Sequence, residues 1–194
     1  EVARGLLVHP NHVGRVIARP FDGSAKGQFR RTERRKDFPL PPPRNLDDFV
    51  GEVFGVGVLP ELFGSRGFRA VARTQSNAEH ARMLVEALKS DARFIFANFE
   101  DFDMLFGHRS DPKGFAECVE TFDHTLQDLL QELGPDDLLI LTADHGNDPT
   151  DVSTDHTREY VPVSILSRGT GVVSLGDRDG MMAIGRTVAA WLNV

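Results

Sequence analysis

A single cysteine in 194 residues excludes an internal disulfide. Long apolar runs are missing too: none approaches the roughly 18 residues that a membrane-spanning helix needs. No signal-peptide pattern opens the sequence, so the cytoplasm is the expected compartment. Nor is there an excess of positive charge. With 22 Lys and Arg against 29 Asp and Glu the formal charge is -7, which argues against general affinity for nucleic acid but leaves room for local basic pockets. Internal repeats are absent, and the only low-complexity element is the triplet Pro41-Pro42-Pro43.

What is present fills one sizeable core and a fraction of another, on a prior of about 100 to 200 residues per domain. The first forty residues are basic, with Arg15, Arg19, Lys26, Arg30, Arg31, Arg34, Arg35 and Lys36, and they run into the proline triplet. Three prolines cannot continue a helix or a central strand, so the triplet reads as a linker. Beyond it strand and helix patterns alternate. Residues 52–59 predict a short apolar strand. Ser76-Asn77-Ala78-Glu79 predicts a capping box, opening a helix with Met83, Leu84, Ala87 and Leu88 on one face. Phe115, Cys118, Val119, Phe122, Leu126, Leu129, Leu130 and Leu133 follow three-and-four spacing, which predicts a second amphipathic helix with Cys118 as a small core residue. That helix should join the strands read at 93–99 and 138–143 in a parallel crossover. Residues 161–166 predict a third core strand, and 181–192 a closing helix with Ile184, Val188, Trp191 and Leu192 inward.

The chemistry concentrates in residues 142–160, T-A-D-H-G-N-D-P-T-D-V-S-T-D-H-T-R-E-Y. Two Asp-His dipeptides, Asp144-His145 and Asp155-His156, stand eleven positions apart, and the first directly follows the apolar run 138–143. Such a run reads as a buried parallel strand, and a strand end in an open α/β sheet is where ligands bind. One such dipeptide is an ordinary strand-end turn; two around a G-N-D-P turn point to a ligand set. Carboxylate oxygen combined with imidazole nitrogen suits Zn, Mn or Fe better than Mg or Ca. The second apolar run, 93–99, ends in E-D-F-D-M-L-F-G-H-R, so Asp103 and His108 leave a neighbouring strand end on one loop. Phe102 and Phe106 in that loop read as packing residues.

These segments resemble a known family. V-G-R-V-I-A-R-P-F at 13–21, N-F-E-D-F-D-M-L-F-G-H-R at 98–109, T-A-D-H-G-N-D-P at 142–149 and T-D-H-T-R-E-Y-V-P at 154–162 are similar to the phosphopentomutases of the alkaline phosphatase superfamily. The resemblance implies an α/β fold: an alkaline-phosphatase-like core with a parallel-rich sheet and helices on both faces, plus part of an α+β cap domain. It implies a remnant of the inserted cap over residues 1–42 and the carboxyl-terminal part of the metal-binding core over 43–194. It further implies interconversion of ribose or deoxyribose 1-phosphate and 5-phosphate, in nucleoside catabolism, through a phosphothreonine and two Mn ions. Asp103, His108 and His156 would hold one Mn, and Asp144 and His145 the other. Arg15, Ile17 and Arg31 would line the sugar-phosphate pocket, with Arg15 and Arg31 gripping the phosphate that is not transferred, for which the planar guanidinium fork is suited. An activator of the glucose 1,6-bisphosphate type is implied as a partner, and no nucleic acid or membrane.

The expected phosphorylated Thr and one further Asp ligand match no segment here, so the sequence reads as a carboxyl-terminal piece that is inactive by itself. Val58 stands where the family carries a pocket Lys, and Val donates no hydrogen bond. The stretch between Pro43 and Glu52 is several residues shorter than the family's. Two other readings stay open: another metal-dependent phosphatase, sulfatase or phosphoglycerate mutase of the same superfamily, and a non-catalytic metal-binding module.

Overall fold

The computed structural model describes residues 1–169 and 171–194. In chain order the elements are α1 (Val2–Leu6), β1 (Arg15–Ala18), β2 (Phe21–Asp22), β3 (Arg30–Arg31), β4 (Lys36–Pro39), α2 (Leu46–Val50), β5 (Val53–Val56), α3 (Leu59–Leu62), β6 (Phe68–Ala72), α4 (Asn77–Leu88), β7 (Ile95–Ala97), α5 (Pro112–Glu132), β8 (Leu138–Thr142), β9 (Val163–Ser167) and α6 (Met182–Leu192). The result is a mixed α/β fold. The first four strands form two small antiparallel pairs, β1 with β4 and β2 with β3. The proline triplet lies between β4 and α2, outside both elements, as its missing N–H groups require.

The centre is a parallel three-stranded sheet in the order β6-β5-β7. β5 aligns Phe54 with Ala70 and Ile95, and Val56 with Ala72 and Ala97. Val53 and Val56 on this middle strand are fully buried and, with Leu59, Ala72, Ala87 and Leu129, make the core. β5 is paired at both edges and has α3 and α4 packed against it, and a parallel strand whose faces are covered by helices reads as apolar almost throughout. α4 and α5 pack on each other and α4 also packs on β5 and β7. Gly57, at φ +84°, ends β5 in a conformation that costs glycine little, and a Cβ there would stand 2.8 Å from the Asn98 carbonyl oxygen.

The predicted helices form, with one change at a cap. Ser76 Oγ accepts from the Glu79 N–H at 3.3 Å, but the Glu79 carboxylate reaches one residue further back, to the Gln75 N–H at 2.8 Å. The reciprocal box appears instead at α2, where Asn45 and Asp48 cap each other's backbone. Cys118 is half-buried, with its sulfur accepting from Asn77 Nδ2 at 3.5 Å, and burial pushes its thiol pKa up.

Four expectations are corrected. β8, read as a buried parallel strand, pairs antiparallel with β9, Leu138 facing Ser167 and Thr142 facing Val163. β8 shares no sheet with β7 among the described residues, so α5 does not complete a parallel crossover between them. An unbroken apolar run is equally compatible with either direction, because direction is set by where the returning chain lies. β9 is not a core strand: Ile165 is 37 % exposed and Leu166 46 %. On α6, Ile184, Val188 and Leu192 are half-buried as expected, while Trp191 is 48 % exposed.

Candidate metal centre

Two strand-end loops meet. The chain leaves β7, passes through a π-helical turn at Phe102–Phe106 and then a 3-10 turn at Gly107–Arg109. Single π turns recur at functional sites because the wider helix re-aims successive side chains. Here the turn carries Asp103, with His108 one turn beyond. Its apolar side chains pack: Phe102 lies edge-on to Phe115 and Phe122 of α5. The second loop leaves β8 with Asp144 and His145 and returns towards β9 with His156, closed at its base by the bridge between Gly146 and Thr157.

The donors converge. Ligand-capable atoms of Asp103, His145 and His156 all lie within 4.8 Å of one another. His156 Nε2 is 3.5 Å from Asp103 Oδ1, and His108 Nε2 is 3.2 Å from Asp103 Oδ2. The imidazoles form a stack, His145 on His156 at 3.6 Å between centroids and His156 against His108 at 4.9 Å. Asp144 stands at the rim, 3.5 Å from His145 Nε2 with its side chain 80 % exposed. All five expected ligands therefore belong to one neighbourhood. His145 lies with the Asp103 and His156 donors as well as beside Asp144.

The hydrogen bonds around the rings select the nitrogens that face the cluster. His108 Nδ1 is 2.5 Å from the Thr154 carbonyl oxygen, and His145 Nδ1 is 3.1 Å from the Gly146 carbonyl oxygen. A carbonyl can only accept, so each Nδ1 donates and Nε2 is the nitrogen turned to the carboxylates of the cluster. A ligand histidine that donates its other nitrogen to a backbone carbonyl is oriented and made a better donor. Mixed carboxylate and imidazole donors suit a borderline transition metal, so the residues present fit a divalent ion of the Mn, Fe or Zn type.

Two supporting residues escape a reading based on metal-ligand types alone. Asn147 Nδ2 donates to Asp103 Oδ1 at 2.5 Å, tying the two loops together. Gly107 gives the Asn147 amide room, since a Cβ there would collide with it. Asn147 does stand inside the D-H-G-N-D-P motif, but its amide signals a partner no more than any turn asparagine does. Asp148 closes the same turn by accepting from the Thr150 hydroxyl and N–H at 2.6 and 2.8 Å, bonds that lower its pKa.

The expected sugar-phosphate residues lie on the amino-terminal strands. Arg15, on β1, meets Asp37 Oδ2 at 2.5 Å, and Arg35 reaches the same oxygen at 2.8 Å. Burial alone raises the Asp37 pKa, but the hydrogen bonds and charges of Arg15 and Arg35 outweigh it and hold the carboxyl below its usual range. Ile17 is half-buried on β1. Arg31, on β3, is exposed beside an open recess of about 530 Å³ lined also by Asp22, Gln28, Arg30 and Glu33. Val58 sits at the start of α3, its carbonyl accepting from the Glu61 N–H.

Comparison with known proteins agrees with this geometry. The chain is 45 % identical over 200 residues to the phosphopentomutase of Symbiobacterium thermophilum, covering 100 % of this chain and 51 % of the relative. It is 46 % identical over 201 residues to that of Dictyoglomus thermophilum, again covering 100 % and 51 %. The chain thus spans about half the length of these curated relatives. The solved structure of the PH0037 protein from Pyrococcus horikoshii shares the fold, with a TM-score of 0.60 at 20 % identity over 85 % of this chain and 55 % of that one. The family described as the Metalloenzyme superfamily matches residues 56–194, a span holding every converging donor. With carboxylate and imidazole gathered at the strand ends of that matched span, the chain belongs to the metalloenzyme superfamily.

Proposed function

We propose that this chain is the metal-holding portion of a phosphopentomutase, an isomerase that interconverts ribose or deoxyribose 1-phosphate and 5-phosphate in nucleoside catabolism in the cytoplasm. The observation that carries the reading is the convergence of Asp103, His145 and His156 in a chain 45 % identical throughout to a phosphopentomutase. Asp103, His108, Asp144, His145 and His156 are the residues that would hold two divalent ions, with Mn as the proposed metal. When bound, such ions stabilise the attacking and leaving oxygens of a phosphoryl transfer.

The chain's own residues have distinct tasks in this scheme. His108 and His145 donate Nδ1–H to backbone carbonyls and turn Nε2 to the cluster; His145 and His156 act in this scheme as ligands and not as proton carriers. Asn147 aims Asp103. In this scheme Arg15 and Arg31 bind the phosphate that stays on the sugar and Ile17 lines the pocket; Arg15 does so while its fork is shared with Asp37. Residues 1–42 act as the cap portion and 43–194 as the core portion. The phosphorylated Thr and a further Asp ligand come from the half of the relatives that this chain does not span, and the activator is of the glucose 1,6-bisphosphate type.

The test is an assay on ribose 1-phosphate with Mn2+ and glucose 1,6-bisphosphate, using this chain alone and co-expressed with the unmatched half of the Symbiobacterium thermophilum relative. Ribose 5-phosphate formed only by the combined protein is the expected result. Release of inorganic phosphate without isomerisation identifies a phosphatase instead. Mn2+ binding with neither activity identifies a non-catalytic module.

A further inference from the structure

The stretch between β7 and Asp103 is fastened residue by residue. The Asn98 N–H donates to the Val56 carbonyl of β5 at 3.2 Å. Phe99 lies edge-on to Phe122 of α5 and to His80 of α4. Glu100 Oε1 is 3.3 Å from Nε2 of His80, a wholly buried side chain. Asp101 and Asn77 bond reciprocally: the Asn77 N–H donates to Asp101 Oδ2 at 2.8 Å, and the Asp101 N–H donates to Asn77 Oδ1 at 3.2 Å. Asn77 in turn donates its Nδ2 to Cys118 of α5 at 3.5 Å.

None of these groups belongs to the ligand set, and the first turn of α4 supplies several of them. Ordering a loop costs conformational entropy, about 1–2 kcal/mol for each residue fixed. A loop already fixed by the folded protein does not incur that cost when an ion binds, which is the advantage of preorganisation. Glu100 and Asp101 immediately precede the π turn that carries Asp103, so their fastening determines where that carboxylate stands.

We propose that Asn77, acting through Asp101, is a positioning residue that holds the Asp103 loop ready for the metal. The proposal rests on the metal reading of Asp103. Mn2+ affinity of the chain is measured from the free-ion EPR signal, alongside circular dichroism and thermal unfolding. Asp101→Ala and Asn77→Ala weaken Mn2+ binding roughly 10- to 100-fold, as losing a partner that supports a ligand does. Asp101→Asn, whose amide oxygen still accepts from the Asn77 N–H, stays within about threefold of the unaltered chain. Ser76→Ala removes the cap of the same helix without touching the loop; it lowers the unfolding temperature and leaves Mn2+ affinity unchanged.

A folded Asp101→Ala or Asn77→Ala chain that binds Mn2+ like the unaltered one overturns the proposal. So does an Asp101→Asn chain as weak as Asp101→Ala, because charge and not the hydrogen bond is then the cause. Amide hydrogen exchange on the unaltered, metal-free chain needs no variant. Protection of the Asp101 N–H supports the preformed loop, and unprotected exchange there overturns it. An unaltered chain that binds no Mn2+ removes the metal reading together with this one.

Discussion

The loop leaving β7 and the loop leaving β8 deliver similar side chains, a carboxylate and an imidazole each, from opposite kinds of support. β7 belongs to the parallel sheet whose middle strand is buried, and its loop is tied to β5, α4 and α5. β8 belongs to a two-stranded antiparallel pair whose partner β9 is largely exposed; its loop is closed by the bridge between Gly146 and Thr157 and is held to the other loop by the Asn147 bond to Asp103 and the His108 bond to the Thr154 carbonyl. One side of the site is part of the core; the other depends on it. Asp144, at the rim with its side chain 80 % exposed, is the most exposed of the five donors.

The largest expected effect breaks this asymmetry directly. Asp103→Ala weakens Mn2+ binding by more than about 100-fold, beyond the range seen for supporting residues, whereas Asp144→Ala weakens it by about 10-fold or less. EPR titration of both variants decides it, and equal losses would show that the two loops contribute alike. Next in size is stability. Val53→Ala on buried β5 should cost about 2 kcal/mol by lost burial and cavity formation, while Ile165→Val on exposed β9 costs a few tenths. Urea unfolding followed by circular dichroism measures both, and similar values would mean that β9 is covered in solution.

The third effect sharpens the comparison from a buried carboxyl outside both loops. Asp47, on α2, is 3 % exposed, and burial together with the neighbouring Asp48 charge raises its pKa to about 6 from an ordinary 3.8. A folded state with the higher pKa holds the proton more tightly, so this group favours folding most below pH 3.8 and loses that contribution as pH rises through about 6. Asp47→Asn should therefore raise stability at pH 7 by about 1–2 kcal/mol and flatten the pH dependence between 4 and 6. Unfolding midpoints across that range test it; an unchanged pH profile would mean that the Asp47 carboxyl is hydrated in solution.

Much of this molecule was legible locally. The alternating apolar runs placed β5, β7 and β8, the three-and-four spacing placed α5, and two Asp-His dipeptides beside D-F-D-x-x-x-x-H marked the ligand candidates, because periodicity and donor chemistry are written in neighbouring residues. What required the tertiary structure was every relation between distant residues. The antiparallel pairing of β8, the exposure of Ile165 and Trp191, and the bonds from Asn147 to Asp103 and from Asn77 to Asp101 join positions as much as 44 apart in the chain. The sequence alone determined which side chains could bind an ion. Only the fold decided that His145 stands with Asp103 and His156, since a donor's reach depends on where two strand ends and their returning chain are brought together.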